Sequence, residues 1–105
     1  HEIIMLACRS VIKFDNHKAV GNVRQYPRTG NPNHPTEKPV ELLMDILNIT
    51  DVAQTVYDPF LGSGSTLVAV ENAGRDGYGM EIEPKYLAVT LERMAGMGLE
   101  PKLVE

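Results

Sequence analysis

Two glycines one residue apart stand in the run Tyr57-Asp58-Pro59-Phe60-Leu61-Gly62-Ser63-Gly64-Ser65-Thr66, and an acid, Glu81, follows 17 residues beyond Gly64. A Gly-x-Gly turn lets the backbone take positive φ and lets a ligand come close where a Cβ would collide. A helix starting near Ser65 or Thr66 would present free N–H groups and the positive end of its dipole at the same point. Such a loop can hold a carboxylate or a nucleotide-like ligand. An acid at this distance, at the carboxyl end of the next strand, accepts hydrogen bonds from ribose hydroxyls. The bland alternatives are a strand–turn–helix corner with no ligand and a solvated glutamate at a strand end. Glu83, two residues on, is the weaker candidate of the two acids.

Spacing separates three ligand classes. A phosphate-cradling P-loop requires a lysine directly after its last glycine, and none follows Gly64. A dinucleotide fingerprint needs a small residue at position 67, where Leu67 stands, so a nicotinamide-dependent oxidoreductase is a weak third reading. The remaining class is S-adenosylmethionine. Asp58-Pro59-Phe60-x-Gly62-Ser63-Gly64-Ser65-Thr66 resembles the cofactor loop of the amino-methylating DNA methyltransferases.

The elements that must position this loop are legible around it. Thr55 to Asp58 reads as a strand, and Thr66 to Ala73 as a helix that is apolar on nearly every side and closed by Gly74. Upstream, Pro39 suits a first helical position. Val40, Leu43, Ile46 and Leu47 then fall at helical spacing, with Glu41 and Asp45 outward, so an amphipathic helix should run to about Asn48. Downstream, Asp76-Gly77 reads as a turn and Tyr78 to Ile82 as a strand. Glu83-Pro84 opens a helix to about Met97, with Leu87, Leu91 and Met94 inward, and Leu103-Val104 reads as a scrap of strand. Ahead of these, 3–8 is an apolar run of buried-strand length, 11–14 a second strand or its continuation, and 15–35 a long loop punctuated by Gly, Pro and Asn. Alternating helices and strands predict an open α/β sheet of parallel strands with right-handed crossovers.

The resemblance extends beyond the loop. His34-Pro35-Thr36-Glu37-Lys38-Pro39, a helix, the glycine loop, and Gly79-Met80-Glu81-Ile82-Glu83-Pro84-Lys85-Tyr86 are similar in order and spacing to the C-terminal half of the DNA adenine-N6/cytosine-N4 methyltransferases. They look like the branch in which the catalytic motif precedes the cofactor motif. The resemblance implies a Rossmann-like methyltransferase fold, partial here, with a mostly parallel sheet flanked by helices. It implies S-adenosylmethionine as cofactor, with Thr36, Glu37 and Lys38 near its methionine part. Asp58, Phe60, Gly62, Ser63, Gly64 and Thr66 would line the loop around it, and Glu81 would hold the ribose. Physical chemistry supports several of these separately: a carboxylate favours helix-start N–H groups and a lysine, and a sulfonium tolerates carboxylate and aromatic faces. A solvated Lys38, a core Phe60 and an Asp58 that caps its own loop are the plain alternatives.

One departure limits the implied activity. The family's Asp/Asn/Ser-Pro-Pro-aromatic motif, which holds the exocyclic amine of the flipped base, is nowhere in the chain, and no Pro-Pro occurs. The expectation is therefore the cofactor-binding part of a site-specific DNA methyltransferase of the restriction–modification kind, adenine N6 ranked ahead of cytosine N4, inactive on its own and without catalytic residues here. A truncated, non-catalytic cofactor- or DNA-binding module is the alternative. Amine attack on a sulfonium needs no Lewis acid, and no His/Cys cluster has metal-ligand spacing.

Bulk properties agree with one domain. Of 105 residues, 43% are hydrophobic and 23% charged, as in ordinary globular chains. No apolar run is long enough to span a bilayer and no signal pattern opens the chain, so a cytoplasmic protein is expected. The lone Cys8 reads as a small buried hydrophobe. Net charge is −4, but 1–38 carries +3 and 39–105 carries −7. That asymmetry suits a protein meeting double-stranded DNA on one side, with Lys18, Arg24 and Arg28, and Tyr26 between them, as phosphate contacts; a solvated basic loop is the alternative. The organisation expected is a strand and basic loop over 1–38 and the cofactor region over 39–105. A buried strand opening the chain with no initiator Met suggests a piece of a longer protein, and an exposed sheet edge suggests a homodimer.

Overall fold

The computed structural model describes residues 25–27, 30, 37–50 and 54–104. The expected strands at 3–8 and 11–14, Cys8, Thr36 and the basic residues Lys18, Arg24 and Arg28 lie outside these. Five elements follow in order: α1 Val40–Ile49, β1 Thr55–Asp58, α2 Ser65–Asn72, β2 Asp76–Gly79 and α3 Pro84–Gly96. The two strands pair in parallel, with Thr55 opposite Asp76, Val56 opposite Gly77, Tyr57 opposite Tyr78 and Asp58 opposite Gly79.

The core forms where α1 crosses α2. Leu47, Ala69 and Val70 are buried there, with Val40, Leu43, Met44, Val56 and Ala73 packed around them. Positions 40, 43, 44 and 47 recur at helical spacing and make one stripe of α1. Pro39 precedes the helix rather than opening it: its carbonyl accepts the Leu43 N–H while its own ψ of 130° is extended. Asp45, expected to face outward, is half-buried and accepts the Tyr26 hydroxyl at 2.5 Å. At the other end of α1, the Arg75 guanidinium donates to the carbonyls of Leu47 (2.7 Å) and Thr50 (3.1 Å). A cation at the negative end of the helix dipole satisfies orphan carbonyls and fastens the start of β2 to α1.

Helix α2 ends in a Schellman motif. Gly74, at φ 67°, donates to Glu71 O, and Arg75 donates to Val70 O. The turn therefore falls at Ala73-Gly74, and β2 starts at Asp76, two residues earlier than its sequence pattern suggests. The glycines of β2 are packing requirements rather than turn signals. A Cβ on Gly77 would sit 2.7 Å from Leu67 Cδ2 and 3.0 Å from Val70 Cγ1, and one on Gly79 would meet Leu61. Gly77→Ala should accordingly lower stability by about 1–3 kcal/mol through overpacking, read as a lower denaturation midpoint with an unchanged slope.

Helix α3 begins with Pro84 as its first residue. Its inner face differs from expectation: Thr90 and Met94 are buried, whereas Leu87 and Leu91 are 39% and 45% exposed. What α3 packs against is the polar underside of the glycine loop, which favours Thr90 over a leucine. Leu103 and Val104 are exposed and form no strand.

Candidate cofactor site

The loop between β1 and α2 is held from three directions. From in front, the Asp58 carboxylate closes it on itself: Oδ1 accepts the Phe60 N–H at 2.9 Å and Oδ2 accepts the Thr66 hydroxyl at 2.5 Å. From the side, backbone pairing continues past the strands, with Met80 N–H donating to Asp58 O and Leu61 N–H to Met80 O, both at 2.9 Å. That continuation carries Glu81 to the loop, where Oε2 accepts the Gly62 N–H at 2.7 Å and Oε1 accepts the Glu83 N–H at 2.9 Å. From beneath, the Thr90 hydroxyl donates to Gly62 O at 3.1 Å, and Arg93 Nη1 donates to Ser63 O at 2.8 Å.

Above the loop lies a cavity of about 650 Å³, a size common for small-ligand sites. Of the residues singled out from the sequence, Glu37, Lys38, Asp58, Phe60, Gly62, Ser63, Thr66 and Glu81 all line it. Gly64 does not; it takes φ 86° beneath the wall, pressed against Thr90. Glu81 comes just after β2 rather than within a strand, because β2 ends at Gly79. Phe60 is 89% exposed at the cavity, which removes the core reading of that side chain. Both oxygens of Asp58 serve the loop, as its capping alternative required.

Sequence reasoning missed three contributors. Ile82, 98% exposed, joins Phe60 in giving the cavity apolar surface. Its signal was an apolar residue directly after the candidate ribose acid. Thr90 and Arg93 lie 28 and 30 residues beyond their partners Gly62 and Ser63, with no local signal. Among the described residues, no group of three or more His, Cys, Asp and Glu could hold a metal ion, and no helix is long and apolar enough to cross a membrane.

A glycine turn at the carboxyl ends of parallel strands, opening a helix and tied to an acid after the next strand, is the arrangement that nucleotide-binding α/β proteins use. The chain matches the model of the DNA methylase family, the N6/N4 methyltransferases, over residues 12–92, and it belongs to that family. It is 36% identical over 87 residues to the DNA adenine methyltransferase YhdJ of Escherichia coli, covering 77% of this chain and 30% of that one. The type II methyltransferase M.Cfr9I of Citrobacter freundii is 34% identical over 84 residues, covering 79% of this chain and 27% of the relative. The crystal structure of the M1.HpyAVI–SAM complex superposes with a TM-score of 0.57 at 32% identity, covering 70% of this chain and 40% of that one. The chain thus spans about a third or less of the length of the curated relatives it matches.

Proposed function

We propose that this chain supplies the S-adenosylmethionine-binding part of a DNA methyltransferase that methylates an exocyclic base amine, adenine N6 ahead of cytosine N4. The observation that carries the reading is the Glu81 carboxylate, held at the cavity wall by two backbone N–H groups. A carboxylate oxygen has two acceptor directions. Glu81 Oε2 accepts the Gly62 N–H and Oε1 the Glu83 N–H, which set the carboxylate in the cavity lining where a ribose hydroxyl would donate to it. Phe60 and Ile82 offer apolar surface to a purine. The start of α2 and the Glu37-Lys38 wall receive the amino-acid end, where helix N–H groups and a lysine favour a carboxylate. When bound, the cofactor supplies an electrophilic methyl group on a sulfonium. The chain's own residues bind and orient; the Pro-Pro-aromatic motif that would hold the target amine is not among them. The name of YhdJ supports adenine as the target base. Double-stranded DNA would be the partner on this reading, with Lys18, Arg24 and Arg28 as candidate phosphate contacts.

Calorimetry with S-adenosylhomocysteine, paired with a methyl-transfer assay on a duplex oligonucleotide, tests this. Saturable binding without transfer by the chain alone is expected. Absence of binding overturns the cofactor assignment, and transfer by the chain alone overturns the division into cofactor and catalytic parts.

A further inference from the structure

We propose that Arg93, seconded by Thr90, is the positioning residue that fixes the shape of the glycine loop and its distance from the Glu37-Lys38 wall. The inference rests on the cavity being the S-adenosylmethionine site. A turn with Gly62 at φ 60° and Gly64 at φ 86° has little intrinsic reason to keep one shape, since glycine gives up the most backbone freedom on folding. Something must hold it. Asp58 and Glu81 take its N–H groups and the Thr66 hydroxyl, and two side chains one turn apart on α3 take its carbonyls from beneath: Thr90 the Gly62 carbonyl and Arg93 the Ser63 carbonyl. Peptide planes are trans here, so turning the Gly62 carbonyl down towards α3 turns the Ser63 N–H away from it.

Arg93 reaches further. The same Nη1 lies 3.3 Å from both Ser63 Oγ and Ser65 Oγ, and 3.5 Å from Glu37 Oε1. Ser63 and Ser65 are buried, and the Glu37 side chain is only 5% exposed. A single guanidinium therefore gathers the loop, the first residue of α2 and the segment ahead of α1. Those are opposing parts of the cavity lining: Glu37 and Lys38 on one side, Gly62, Ser63 and Ser65 on the other. Buried polar groups need partners, and a low-dielectric setting strengthens each bond they make. Removing Arg93 would take this cation from the serine carbonyl and the Glu37 carboxylate and loosen the loop against the Glu37-Lys38 wall.

The test uses the full chain and two readouts, loop amide hydrogen exchange without ligand and S-adenosylhomocysteine affinity of the folded protein. Arg93→Met keeps the stem and removes the donors. It should speed exchange at 62–65 and weaken binding, each by about tenfold or more, the size of a lost bond to a charged group, with β1 and β2 amides little changed. Arg93→Lys should restore most of both, and Thr90→Val, which loses one neutral bond, should cost about threefold. Unchanged loop exchange, protection lost evenly over the whole chain, or unaltered affinity in Arg93→Met overturns the proposal. Should that variant not fold, Thr90→Val decides: loosening confined to the loop supports positioning, and an unchanged loop overturns it. A wild-type chain that binds no S-adenosylhomocysteine overturns the cofactor reading instead, and the exchange readout still tests the loop.

Discussion

Gly64→Ala should destabilise the fold by about 2–5 kcal/mol, adding the cost of a left-handed L-residue to that of overpacking. Gly64 sits at φ 86°, where a side chain strains the backbone whatever space surrounds it. There is also no space. Its Cβ would lie 2.7 Å from Thr90 Cγ2, 2.9 Å from Thr90 Oγ1 and 3.1 Å from Thr90 Cβ. Thr90 cannot step aside: it is 2% exposed, β-branched within a helix, and bonded through its hydroxyl to Gly62 O. Against a domain stability of about 5–15 kcal/mol, the loss is large. Urea denaturation followed by circular dichroism measures it. Two companions separate the causes. Thr90→Ser in the Gly64→Ala background removes the offending methyl and keeps the hydroxyl, so it should recover about 1–2 kcal/mol, a coupling that a double-mutant cycle reads directly. Gly74→Ala, at φ 67° with nothing near its missing Cβ, should cost only the backbone strain, about 1–2 kcal/mol. A Gly64→Ala chain as stable as wild type would mean that α3 does not press on the loop as described.

The parts of this molecule that could be read from sequence are those whose causes are local. β1, the extent of α1 and α2 to within a residue, and the start of α3 at Pro84 all follow from short-range periodicity and from what proline and glycine do to a backbone. Eight of the ten expected cofactor residues line one cavity because a strand–turn–helix places its own loop. The failures around the site share one origin, contact between segments distant in sequence. Gly77 looked like a turn because its reason for being glycine, the press of Leu67 and Val70, comes from α2. Leu87 and Leu91 looked like an inner face because apolar periodicity cannot know that α3 lies against buried serines and a glycine. Arg93, on a helix face, gave no sign that its partners would be Ser63, Ser65 and Glu37. Polar groups that hold a loop from behind carry no pattern of their own.

Glu81→Ala should weaken S-adenosylhomocysteine binding by about 2–4 kcal/mol, and Glu81→Gln should do nearly as much harm. The first figure combines hydrogen bonds to a charged acceptor, worth about 1.5–3 kcal/mol, with the loosening of what the carboxylate holds in place. Glu81 has two tasks at once. Its oxygens receive the N–H of Gly62 in the loop and the N–H of Glu83 just before α3, so it fixes the loop relative to the helix. The carboxylate also lines the cavity, where a ribose diol would donate to it. Glutamine usually counts as the mild replacement, but here it cannot be. Both backbone partners are donors, and an amide offers one acceptor oxygen and one donor nitrogen. Whichever way the amide turns, its NH₂ faces a backbone N–H, and one of the two contacts becomes donor against donor. Aspartate keeps the charge yet is one methylene too short to span both partners, so Glu81→Asp should fall between the wild type and the alanine variant. Calorimetry of the three variants sets the order, with adenosine as a second ligand to show that the loss lies on the ribose side. Retained affinity in Glu81→Gln would mean that no diol meets this carboxylate and that binding does not depend on its hold on the loop.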